Sequence, residues 1–158
     1  MNLFAHSEPG IEQRWHPLLR REALLTALAT RDTNLIAAKA RSVKDSDLGA
    51  GFLDKKLAAL LDNDQALKRS LHDMWSDPVN RYGYRAESVA IWAAYAGESD
   101  LAIAALHHLP NELAARALWH PAMAATRETP GFREVVRRTG LLEYWLASGK
   151  WGDFVSYR

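Results

Sequence analysis

There is no cysteine anywhere in the 158 residues. Disulfides, thiolate metal sites and thiol nucleophiles are thereby excluded, while the redox compartment stays open. Excess charge is missing too: 20 Lys and Arg face 19 Asp and Glu, a formal net charge of +1. That balance exerts no pull toward nucleic acid or an anionic membrane, and neither is expected as a partner. No apolar run approaches the ~20 residues of a membrane span. Met1 to Gly10 lacks the cationic start and apolar core of a signal peptide, so a soluble, cytoplasmic protein is the expectation. β-branched residues are sparse and sustained period-2 alternation is absent, so no strand is expected.

Alanine, leucine and arginine dominate, which favours helix. Hydrophobic residues make up 48% of the chain, too many for a disordered protein and enough for one domain with a substantial core. Residues 1–12 read as a loose leader. Pro17 fits the first turn of a helix carrying Leu18, Leu24, Leu25 and Leu28. Asp32 or Thr33 can cap a second helix with Leu35, Ile36, Ala40 and Val43. Asp45-Ser46-Asp47 is a further cap cluster, ahead of a stripe of Leu53, Leu57, Leu60 and Leu61. Leu67, Leu71, Met74 and Trp75 repeat that spacing, and Asp77 to Gly83 forms a joint between two halves. Beyond it Val89, Trp92, Ala93 and Ala96 share a face, and Gly97 can end that helix in a left-handed cap. Thr129-Pro130 starts a helix whose inward face is Phe132, Val135, Val136 and Thr139. Leu141, Leu142, Trp145 and Leu146 build a last helix, closed by Gly149. The expectation is one all-α domain over 1–158, with eight to ten short helices: N-terminal helices over 13–76, then a repeat-like pair and helical tail over 84–158.

The pair from about Arg85 to Leu109 resembles a tetratricopeptide repeat. Ala90 stands at the small position of the first helix, Gly97 at the turn and Ala102 at the small position of the second. Ala86 replaces the large aromatic of the family pattern. The following segment resembles the tail that closes such arrays in bacterial regulatory proteins: Leu118-Trp119-His120-Pro121, Arg127, Pro130-Gly131-Phe132, Gly140-Leu141, Tyr144-Trp145 and Ser148 to Phe154. Gly152 stands where that tail usually has proline. The resemblance implies a right-handed superhelix of antiparallel helix pairs and a binding role.

Candidate chemistry is thin. Trp-His-Pro occurs at Trp15-His16-Pro17 and Trp119-His120-Pro121, which reads as an aromatic anchor followed by a helix start. The six histidines include no His-x-x-x-His pair, so no metal is expected. No Gly-x-Ser-x-Gly elbow is present, Ser148-Gly149-Lys150 lacks the rest of a phosphate loop, and Gly49-Ala50-Gly51 lacks a dinucleotide loop's third glycine. Most aspartates fall at cap positions. The doublets Arg20-Arg21, Lys55-Lys56 and Arg137-Arg138 read as solvated faces.

A non-enzymatic module that holds a protein or peptide partner follows, with no cofactor. The candidate binding residues are Tyr82, Tyr84, Arg85, Trp92 and Tyr95, where the joint meets the repeat-like helix. The six tryptophans suit an aromatic groove or a homodimer surface. Two alternatives stand beside it: a small-molecule sensor with a pocket of Trp75, Tyr84 and Trp92, and, more remotely, an enzyme using His72 with Asp73, or His120.

Overall fold

The structure, a computed structural model, describes residues 9–149, with side chains from 16 onward. Among the described residues there are nine α-helices, four single 3-10 turns and no strand. The helices are α1 (Pro9–Leu28), α2 (Thr33–Ser42), α3 (Gly51–Ala58), α4 (Asp64–Ser76), α5 (Gly83–Tyr95), α6 (Ser99–His107), α7 (Asn111–Leu118), α8 (Pro130–Arg138) and α9 (Leu141–Ser148).

Local chemistry explains most boundaries. Asp32 accepts from the Leu35 amide at 3.0 Å and Asn63 from the Ala66 amide at 3.0 Å, so each satisfies an amide that the first helical turn leaves free. α5 ends in a Schellman arrangement: Glu98 N–H reaches Ala93 O at 2.8 Å and Gly97 N–H reaches Ala94 O at 3.2 Å. Gly97 has φ +80°, which a side chain would resist.

Three arginines close helix C-termini from outside the helix they serve. Arg81 donates to Trp75 O and Ser76 O of α4, Arg127 to Leu118 O of α7, and Arg138 to Leu106 O of α6. A cation among unpaired carbonyls also complements the negative end of the helix dipole.

The start of the chain departs from expectation. Pro17 lies inside α1, because Pro9 already occupies the start-of-helix position. Residues 9–12, read from the sequence as part of a loose leader, are helical, and residues 1–8 lie outside the described region.

α5 is the central helix. All nine residues from Ala86 to Ala94 are buried, so it has no solvent face of the kind that one apolar stripe would leave. It packs most extensively on α6 and also meets α3, α4, α7 and the Pro121–Met123 turn. The alanines at 86, 90, 93, 94, 102 and 105 are all buried and let these backbones approach closely. α1 leans on α2, α2 on α3, α6 on α8, and α8 on α9. Gly51 marks the tightest approach: a Cβ there would fall 1.9 Å from Lys44 O.

Candidate functional site

The most unusual chemistry lies where α1, α3, α5 and α7 converge. Arg21 of α1 has no solvent exposure. The leucines at 24, 25 and 28 carry α1 into the core, and Arg21 lies one turn earlier on the same face. Its Nε donates to Asp54 Oδ2 at 3.2 Å and its Nη1 to Glu87 Oε2 at 2.7 Å. Its Nη2 donates to Ser88 Oγ at 2.9 Å and to Tyr84 O at 3.2 Å. Asp54 and Glu87 are 0% and 1% exposed. Glu87 also takes Arg116 of α7, whose Nε and Nη2 both reach Oε1, at 2.9 and 2.6 Å. Trp92 Nε1 donates to Asp54 Oδ1 at 3.0 Å. The Tyr84 ring lies beside both guanidiniums, its centroid 5.4 Å from Arg21 Cζ and 5.6 Å from Arg116 Cζ.

Burial raises the Asp54 carboxyl above the usual range, against the pull of Arg21 and the hydrogen bonds from Ser88 and Trp92. Nearby, Arg20 holds Asp47 below its usual range through hydrogen bonds of 2.9 and 2.7 Å. Asp47 is therefore an ion-pair residue between α1 and the 3-10 turn Asp47–Gly49, where the sequence predicts a helix cap. Arg20-Arg21 likewise corrects the solvated-face reading: Arg21 is wholly enclosed and Arg20 is ion-paired.

His120 is committed too. Its Nε2 lies 2.9 Å from Leu25 O, and its Nδ1 accepts from the Ala122 amide at 3.2 Å. The carbonyl can only accept, so Nε2 carries the proton and the ring is neutral. Burial lowers its pKa, which agrees. Trp119 caps the end of α7 and lies 5.8 Å from Trp145, the anchoring role predicted for the second Trp-His-Pro. The Trp15 side chain and Lys150 to Phe154 lie outside the described residues.

The arrangement can hold helices together but gives a substrate no access. Arg21, Asp54, Glu87 and Ser88 are each at most 1% exposed and are bonded to one another. Arg116, with a side chain 38% exposed, Glu22, 40% exposed, and the half-buried Tyr84 carry the cluster to the surface. Among the described residues no group of three or more His, Asp or Glu is placed to hold a metal ion. No described helix is long and apolar enough to cross a membrane.

The five candidate binding residues divide. Tyr82 is 70% exposed at the start of α5. Arg85 is partly exposed; its Nε donates to Gly49 O at 2.7 Å and its guanidinium lies over the Phe52 ring. Tyr84, Trp92 and Tyr95 turn inward. Tyr84 joins the ionic cluster, Trp92 is fully buried, and Tyr95 packs on Trp92 at 5.8 Å under Arg31. Trp75 packs edge-on against His108, with Arg81 over its ring. Sequence reasoning missed Arg21, Asp54, Glu87 and Arg116. The one available signal is their position: Asp54 follows Leu53 and Glu87 falls within an otherwise apolar helix.

A separate cleft of about 230 Å³ opens between α2 and α3, lined by Ala37, Ala40, Arg41, Lys55, Ala58 and Ala59. Comparison with family models, curated proteins and solved structures finds no match to the chain.

Proposed function

We propose that the chain is a non-enzymatic interaction module that holds a protein or peptide partner, built as a tetratricopeptide-like superhelix of the kind used by bacterial regulatory proteins. The observation that carries this reading is a division of labour. Arg21, Asp54, Glu87 and Ser88 are enclosed and bonded to each other, whereas Tyr82, Phe52 and Arg85 remain at the surface. Tyrosine and arginine are the residues that concentrate binding energy at interfaces, because each combines large contact area with directional hydrogen bonds. The close α5–α6 pair, with Ala90 and Ala102 fully buried and Gly97 in the turn, is what the repeat resemblance requires.

A small-molecule pocket of Trp75, Tyr84 and Trp92 receives less support. Trp92 has no exposed surface and its indole N–H is engaged by Asp54.

The test is capture from the native host by the immobilised chain, compared with the Tyr82→Ala/Arg85→Ala variant. Both side chains lie outside the core, so circular dichroism should show an unchanged fold. A stoichiometric partner held by the parent and released by the variant supports the module. Failure of the parent chain to retain any protein overturns it.

A further inference from the structure

We infer that the cleft between α2 and α3 is a docking groove for an acidic amphipathic helix. This inference rests on the interaction-module reading and assigns it a second surface and a partner chemistry.

Three observations converge. The first is shape. Ala37, Ala40 and Arg41 on α2, and Lys55 and Ala58 of α3 with its C-cap Ala59, each follow i, i+3, i+4 spacing. Two such ridges with a recess between them receive the ridge of a third helix. The second is size. At about 230 Å³ the recess falls below the roughly 300–1,000 Å³ of sites that enclose a small molecule. It suits apolar side chains projecting from one face of a helix.

The third is charge. The cleft lining holds two cations, Arg41 and Lys55, and no carboxylate. Arg41 forms no ion pair with any described residue. The bond of Lys55 to the exposed Asp45 is a surface pair of little strength.

An alanine lining with two cations and no carboxylate calls for a partner with leucine-type side chains flanked by Asp or Glu. A membrane fits less well. Insertion into lipid needs large apolar side chains standing proud of the surface, and the apolar residues lining this cleft are all alanines.

The test uses the whole chain and a fluorescein-labelled peptide of roughly four helical turns. The peptide carries leucines at i, i+4, i+7 and i+11 flanked by glutamates; a control carries lysines instead. Anisotropy should show saturable one-to-one binding of the acidic peptide and at least tenfold weaker binding of the control. Arg41→Glu/Lys55→Glu, two surface changes that spare the core, should reverse that preference. Ala37→Trp, which fills the recess, should abolish binding of both peptides at unchanged helicity. Equal affinity for the two peptides overturns the inference. So does indifference to the charge reversal, or binding of phosphatidylserine vesicles in preference to the acidic peptide. If the charge-reversed chain still captures the native partner while Tyr82→Ala/Arg85→Ala does not, the groove fails and the module stands.

Discussion

Replacing Arg21 with methionine removes four hydrogen bonds at once: to Asp54, Glu87, Ser88 and the Tyr84 carbonyl. Methionine keeps much of the aliphatic stem, so the volume change is small. Glu87 retains Arg116, but Asp54 is left enclosed with only Trp92 and Ser88 as partners. Removing one member of a buried pair costs about 3–5 kcal/mol, because the other charge stays desolvated. A domain's whole stability is about 5–15 kcal/mol, so the variant should fold but only narrowly. At roughly 2–4 °C per kcal/mol for a chain of this size, Tm should fall by about 6–20 °C. Adding Asp54→Asn removes the stranded charge while keeping an acceptor for Trp92, and should recover at least about 1 kcal/mol.

The pH dependence has a definite sign. The native Asp54 carboxyl titrates above its unfolded value, so the folded state holds the proton more tightly. Its stabilising contribution is complete below the unfolded pKa, about 3.9, and is lost as pH rises through the native one. Without Arg21 the carboxyl rises further, so the deficit of Arg21→Met should be larger near neutrality than near pH ~4.5, and Asp54→Asn should flatten the difference. Urea unfolding followed by far-ultraviolet circular dichroism measures each quantity. A cost below about 1 kcal/mol, or a further loss on adding Asp54→Asn, would refute the clamp.

Gly51→Ala should destabilise by about 1–3 kcal/mol in a thermal melt, because the new methyl meets Lys44 O at 1.9 Å and the backbone must move. Trp92→Phe should cost about 1–3 kcal/mol by leaving Asp54 Oδ1 without its indole donor, whereas Trp92→Ala should cost about 3–5 kcal/mol through the cavity it opens. Partner loss in Trp92→Ala would therefore report unfolding unless Tm is measured beside it. Long-range ¹⁵N correlation spectra should find His120 neutral with its proton on Nε2 at pH 7. Because burial lowers its native pKa, its contribution is present above its unfolded value of ~6.5 and fades as pH falls through the native one. Urea midpoints should follow that fade in the parent chain and lose it in His120→Gln.

Spacing and end chemistry determined the helices. Asp32, Asn63, Thr129 and Gly97 act through bonds to neighbours a few residues away, so their roles are written locally. The apolar face of α8 is equally plain, with Phe132, Val135 and Val136 all buried. Within α5 the legibility stops. Ser88 and Glu87 interrupt the apolar pattern, yet both are buried, because α1 and α7 bring arginines to them from 67 and 29 residues away.

Such long-range pairing is invisible in the sequence, where Arg20 and Arg21 look alike. One bridges the enclosed Asp47 while keeping some solvent contact, and the other is sealed between Asp54 and Glu87. The same holds for the aromatics. Tyr82 and Tyr84 are two residues apart at the start of one helix, but the first faces water and the second packs against two guanidiniums. Periodicity along a chain determines which segments form helices. Whether a charged or aromatic side chain ends inside or outside depends on what the other helices bring to it, and only the packed tertiary structure decides that, because desolvating a charge is tolerable only where a partner is already in place.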